Sequence, residues 1–170
     1  ILLGEIVSRV TGKPLSAFAQ ETIFGPLQMK DTFFHPADTY LPRIAPTTMM
    51  DDGSVLKGVV HDPTAGAMAG EAGHAGLFTS AHDLARFARM ILQDGQLEGA
   101  RILHPETVEL MSSVQTPEAV SVRRGLGFDI DSPYAGPRGK DFPLGSFGHS
   151  GWTGTSLWID PFSQTTVIFL

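Results

Sequence analysis

The chain has 170 residues, 42% of them hydrophobic and 18% charged, with no cysteine and a formal net charge of −6, a length that suits one domain able to bury about 70% of its unfolded surface. The absence of cysteine excludes disulfides and thiolate chemistry while leaving the compartment open. The acidic balance and the lack of any Lys/Arg cluster argue against nucleic acid or an anionic membrane as the main partner, and no apolar run is long enough to span a bilayer.

In chain order, "ILLGEIVSRVTGKP" places Leu3, Ile6, Val7 and Val10 at helical spacing, with Gly12 and Pro14 as the stop. No Ser, Thr or Asp precedes this helix to cap its first turn. At the other end "TTVIFL" reads as a strand with no terminating turn. A chain that opens inside a helix and closes inside a strand is expected to be a piece of something larger. A second helix fits Pro14 to about Thr22, with Pro14 at its first position and Leu15, Phe18 and Ala19 inward. The Pro- and Asp-rich stretch that follows carries Phe33, Phe34, Tyr40 and Leu41, which favours a loop packed on a core over a linker. The clearest helix runs from Ala81 to about Asp94. Ser80 and Asp83 form its S-x-x-D start, Leu84, Phe87, Ala88, Ile91 and Leu92 make one apolar face, and Gly95 ends it. Another short helix starts at Pro105. The last third is strand-like, in "RGLGFDI", "GSFGHSG", "GTSLWID" and "TTVIFL", separated by Gly/Pro turns. Residues 1–94 are thus expected to be mainly helix and loop, and residues 95–170 a short helix with sheet strands.

Most familiar chemical motifs fail. Gly148-His149-Ser150-Gly151 approaches the G-x-S-x-G nucleophile elbow, but Trp152 stands in fifth place and a strand, not a helix, follows. The glycines of "GAMAGEAGHAG" miss dinucleotide-binding spacing. The six histidines contain no H-x-x-x-H pair, so neither a metal nor another cofactor is expected. His82 reads as an exposed helix residue and His104 as a neighbour of a helix start.

The stretch "GHSGWTGTSLWIDP" is different: a strand with a polar residue, a hydroxyl residue and a glycine, then T-G and a second strand. It resembles the K-T-G element of serine β-lactamases and penicillin-binding proteins in its H-x-G form, as in class C-related esterases and D-aminopeptidases. "LLGEIVSRVTGKPLSAFAQETIFGPLQMKDTFF", "GHAGLFTSAHDLARFARMIL" and "RGLGFDI" resemble further parts of the same family in the same order, so the resemblance covers essentially the whole chain.

The resemblance implies an α/β (α+β) fold of the β-lactamase/transpeptidase type, with helices packed on an antiparallel sheet. It implies that the chain is the C-terminal portion of one such domain, without the N-terminal motifs and the closing helix. The family acylates the serine of an S-x-x-K motif and relays protons through the tyrosine of a Y-x-N or Y-S-N motif; both are expected to lie upstream of Ile1, with Tyr40 and Tyr134 in the wrong contexts. What remains is half a site on an edge strand. His149 and Ser150 would position substrate, Gly151 would keep the strand surface clear, and the Trp152 backbone N–H would be one oxyanion-hole donor. His in place of Lys drops a fixed positive charge at neutral pH, which favours an uncharged ester or amide over a β-lactam or peptide carboxylate. His74 falls at a pocket-wall loop and is a weaker substrate-binding candidate. Each has a plainer reading: His149 as a strand hydrogen-bonder, Trp152 and Trp158 as core, His74 as part of a glycine-driven turn, and His61-Asp62 as a loop contact.

Three functions follow. The parent protein would be a serine hydrolase acting on a small ester, amide or β-lactam-like substrate, periplasmic or secreted by resemblance. The chain alone would be inactive. Alternatively it would be a structural or swapped assembly piece, self-associating through the open sheet edge at "TTVIFL".

Overall fold

A computed structural model describes the backbone of residues 1–170 and every side chain except those of Tyr134 and Pro137, so the rejection of Tyr134 as a proton relay concerns a residue outside the described side chains. The chain divides into two compact units, Ile1–Ser80 and Ala81–Leu170.

The first unit opens with α1 (Leu2–Thr11), closed by Gly12 in the left-handed conformation with its N–H on the Ser8 carbonyl. The apolar face read from the sequence does not become core: Leu3 and Val10 are 78% and 80% exposed, and the one buried residue of the helix is Gly4. A Cβ at Gly4 would lie 2.9 Å from the Gly73 nitrogen, and one at Gly73 would lie 2.9 Å from the Gly4 nitrogen, so backbone meets backbone there. The second helix, α2 (Leu15–Ala19), takes Pro14 as its cap, not its first residue, and runs on as a π-helical turn, Gln20–Phe24. Ala19 is buried, whereas Leu15 and Phe18 are half-buried. The following stretch is a packed loop: Leu27, Met29 and Thr32 are buried, the rings of Phe33 and Tyr40 sit 4.6 Å apart, and Phe33 bridges to Phe78. A two-residue hairpin, β1 (Thr48–Met49) with β2 (Val55–Leu56), and the short α3 (Pro63–Ala67) complete the unit.

The second unit carries the sheet. The helix α4 (Ala81–Leu92) packs on the last strand and on the hairpin β3 (Gln96–Leu97) and β4 (Ala100–Arg101). It therefore groups with the sheet in the second unit. Ala88, Met90 and Ile91 are its buried apolar residues, Met90 being one the periodicity left out. His82 is exposed on this helix, and His104 is the residue before α5 (Pro105–Ser112). Five antiparallel strands follow in spatial order: β5 (Arg123–Arg124), β6 (Asp129–Asp131), β7 (Phe147–Ser150), β8 (Ser156–Asp160) and β9 (Thr165–Phe169). Alternation along the ladder puts Phe147, Ile159 and Thr166 in one row and Gly148, Trp158 and Val167 in the next, on opposite faces. Phe147, Trp158 and Ile159 are at most 3% exposed, so both faces of the central strands are covered.

Two expectations are corrected. "RGLGFDI" is not one strand: Gly125 N–H donates to the Phe128 carbonyl and Gly127 has φ 91°, so the chain reverses between β5 and β6. The strand bearing His149 is third of five, not an edge. Its ladder with β6 nevertheless consists of a single pair, Asp129 with Gly148, so His149 and Ser150 extend past the end of β6.

Candidate active site

The register of β7 and β8 pairs His149 with Leu157 and Ser150 with Ser156. Gly151–Thr155 forms the turn, closed by Gly151 N–H on the Thr155 carbonyl at 2.7 Å, with Gly154 at φ 100°. Trp152 stands in this turn, 71% exposed, whereas Trp158 is core at 1% exposure. The core reading thus holds for Trp158 and not for Trp152. Gly148 has no room for a side chain: a Cβ would sit 2.1 Å from the Leu157 carbonyl oxygen and 2.7 Å from the Trp158 ring. The space beside Gly151 is taken by Thr155 Oγ1, 2.4 Å from where a Cβ would stand.

His149 is half-exposed and held at both nitrogens. Nδ1 lies 2.7 Å from the Ser150 carbonyl oxygen, and Nε2 lies 3.0 Å from Arg124 Nη2. A carbonyl can only accept and a guanidinium can only donate, so these partners assign the proton to Nδ1 and the lone pair to Nε2. Neither nitrogen is bound to Ser150 Oγ, which has no hydrogen-bond partner among the described residues. His149 and Ser150 do not form a nucleophile–base pair.

Behind His149 sits Asp129, its side chain 1% exposed. Its Oδ1 takes Arg124 Nε at 3.2 Å and the Ser132 hydroxyl at 3.1 Å, and its Oδ2 is 3.9 Å from His149 Nε2. Arg124 and Asp129 face each other across the β5–β6 hairpin. Sequence reading missed both because it laid them along one strand. The usable signal was Gly-Leu-Gly, a turn flanked by opposite charges.

His74 belongs to the first unit. Its Nε2 lies 3.0 Å from Asp62 Oδ1, the atom that also accepts the Ala65 N–H and so caps α3. The Ala65 N–H, with a smaller contribution from His74, holds the Asp62 carboxyl below its ordinary range against the opposing effect of desolvation. Of the His61-Asp62 pair, Asp62 is thus a helix cap joined to His74.

One serine of this chain is followed three residues later by lysine, in Ser54-Val55-Leu56-Lys57. The string lies in the β1–β2 hairpin, where Ser54 N–H and Oγ both donate to Asp52 Oδ1 at 2.9 and 2.6 Å. In an extended strand, side chains three apart point to opposite faces, so this Lys57 is not presented to Ser54 as a helix would present it. The chain has no asparagine, so a Y-x-N motif cannot occur in it. Among the described residues, no group of three or more His, Cys, Asp or Glu could hold a metal ion.

Comparison with known proteins places this geometry. The chain is 32% identical over 190 residues to the Escherichia coli K12 protein named "Putative D-alanyl-D-alanine carboxypeptidase", covering 100% of this chain and 42% of that protein. It is 32% identical over 181 residues to the N-acetylmuramyl-L-alanine amidase of Bacillus subtilis 168, covering 95% of this chain and 40% of the amidase. The chain thus spans less than half the length of these curated relatives. Simvastatin synthase (LovD) from Aspergillus terreus superposes with a TM-score of 0.70 at 21% identity, over 97% of this chain and 46% of that one, which shows a shared fold. The beta-lactamase family model matches residues 1–170, and the chain belongs to the beta-lactamase family.

Proposed function

We propose that these 170 residues are the C-terminal, substrate-positioning part of a serine hydrolase that cleaves an ester or amide through an acyl-serine. The nucleophile and its tyrosine relay belong to polypeptide outside these residues. The observation that carries this reading is the state of His149: its nitrogens are engaged by the Ser150 carbonyl and by Arg124 and neither by the Ser150 hydroxyl, so the hairpin offers positioning groups and no activated hydroxyl. In this reading His149 and Ser150 orient substrate and the Trp152 backbone N–H donates to the oxyanion, a contribution on the order of 10²–10³ in kcat. His74 is a weaker substrate-binding candidate. The names of the two curated relatives, a carboxypeptidase and an amidase, support an amide as substrate.

The test is a serine-directed fluorophosphonate probe on the 170-residue chain and on the intact protein, with adducts mapped by peptide mass spectrometry. Labelling of an upstream S-x-x-K serine in the intact protein, and none on the 170-residue chain, supports the reading. A stoichiometric adduct on Ser150 or Ser54 overturns it. A second reading, a non-catalytic assembly piece, draws support from β9, an edge strand that exposes Val167 and Phe169. Size-exclusion chromatography showing dimers of the 170-residue chain would favour it.

A further inference from the structure

Two large apolar side chains stand exposed at the end of the sheet that carries His149. Trp152 is 71% exposed and Leu126 is 52% exposed, although tryptophan is on average a well-buried residue. The strand register brings them there. β6 and β7 run antiparallel with Asp129 opposite Gly148, so the reversal before β6, Gly125–Phe128, lies level with Ser150 at the end of β7. The contact of Arg124 Nη2 with His149 Nε2 at 3.0 Å holds the two hairpins side by side. One turn joins β5 to β6 and the other joins β7 to β8, so their tips stand two strand spacings, about 10 Å, apart. His149 and Ser150, at the end of β7, lie between them.

Both turns are tightly made. Gly125 N–H donates to the Phe128 carbonyl, and a Cβ at Gly125 would lie 2.0 Å from the Met111 carbonyl oxygen, so the first turn is pressed against α5. The second is closed twice, by Gly151 N–H on the Thr155 carbonyl at 2.7 Å and by Gly154 N–H on the Gly151 carbonyl at 3.1 Å. Apolar groups carried on such turns need little further ordering of backbone when a ligand covers them.

Resting on the hydrolase reading above, we propose that Trp152 and Leu126 are specificity-determining residues, forming an apolar platform for the acyl group of the substrate. The site then takes esters or amides of medium-chain carboxylic acids. The Trp152 N–H, as oxyanion donor, meets the acyl oxygen, and the group on the same carbonyl carbon comes within reach of that residue's own indole. An indole face holds an alkyl chain without directional demands, leaving His149 and Ser150 for the polar atoms of the scissile group.

The intact protein is assayed with p-nitrophenyl acetate, butyrate and hexanoate, which share a leaving group and differ only in the acyl chain. Covering part of each methylene is worth about two- to threefold, so wild-type kcat/KM is expected to rise about 15- to 80-fold from acetate to hexanoate. Trp152→Ala is expected to lower the hexanoate-to-acetate ratio about tenfold, Leu126→Ala about threefold, and Trp152→Phe to retain most of it. The ratio is the readout because a side chain that only supports its turn would change both esters together. Leu126→Ala, at an exposed position, and Trp152→Phe carry the test if Trp152→Ala does not fold. A wild type without chain-length preference, or variants that keep the wild-type ratio, overturns the proposal while leaving an acyl-serine hydrolase intact. Failure of the fluorophosphonate labelling overturns the hydrolase reading instead, and the acyl preference falls with it.

Discussion

Gly148→Ala tests the packing of the site hairpin most directly. The added methyl would stand 2.1 Å from the Leu157 carbonyl oxygen and 2.7 Å from two atoms of the Trp158 ring. Ordinary contact needs rather more than 3 Å, so β7 and β8 must part by about 1 Å. Neither obstacle can turn aside: one is backbone and the other is an indole at 1% exposure. Overpacking costs about 1–3 kcal/mol, and weakening two flanking ladder hydrogen bonds adds about 1 kcal/mol each. The expected loss is about 3–5 kcal/mol, a large share of an ordinary domain's 5–15 kcal/mol. Gly151→Ala is the internal control. Its nearest obstacle at 2.4 Å is Thr155 Oγ1, a side-chain atom that can rotate, and its cost should be about 1 kcal/mol. Adding Thr155→Ala should remove most of that. Urea unfolding followed by tryptophan fluorescence measures all of these. A Gly148→Ala variant within 0.5 kcal/mol of wild type, or no less stable than Gly151→Ala, would refute the argument that backbone contact sets the penalty.

Asp62→Ala should lower the melting temperature by several degrees, because it deletes the cap of α3 and the partner of His74 together. Asp62→Asn should keep most of the stability, since asparagine caps comparably, and equal losses in the two variants would refute the capping role. Asp160 accepts the Ser163 hydroxyl and the Phe162 N–H, and the Ser163 bond above all holds its carboxyl below the ordinary value. A depressed folded pKa contributes stability above the unfolded value of about 3.9, lost as pH falls through the folded one. The stability gap between wild type and Asp160→Asn should therefore be constant from pH 7 to 5 and narrow as pH falls below about 4; a gap independent of pH would refute this.

Local grammar was legible where one residue decides an element. Gly12 ends α1, Gly95 follows α4, and Pro105 opens α5, because φ and missing donors act without tertiary help. The strand bearing His149 and its partner were legible from alternation and glycine turns. What escaped depended on partners distant in the chain. The apolar face of α1 has helical spacing, yet Leu3, Ile6 and Val10 stay exposed. Arg124 and Asp129 look like ordinary strand charges until the Gly125–Phe128 reversal sets them opposite each other. Ser54-Val55-Leu56-Lys57 shows the converse: a motif's letters without the helix that gives them meaning.

The Gly4–Gly73 contact has a mechanical consequence for His74. Side-chain contacts absorb small displacements by changing rotamer, but two backbones in direct contact have no such slack. Gly73 is bonded to His74, so a shift of α1 toward that contact presses backbone on backbone next to the imidazole. The helix acts there as a stop on that side of the His74 loop, and neither glycine can gain a side chain without a shift of backbone.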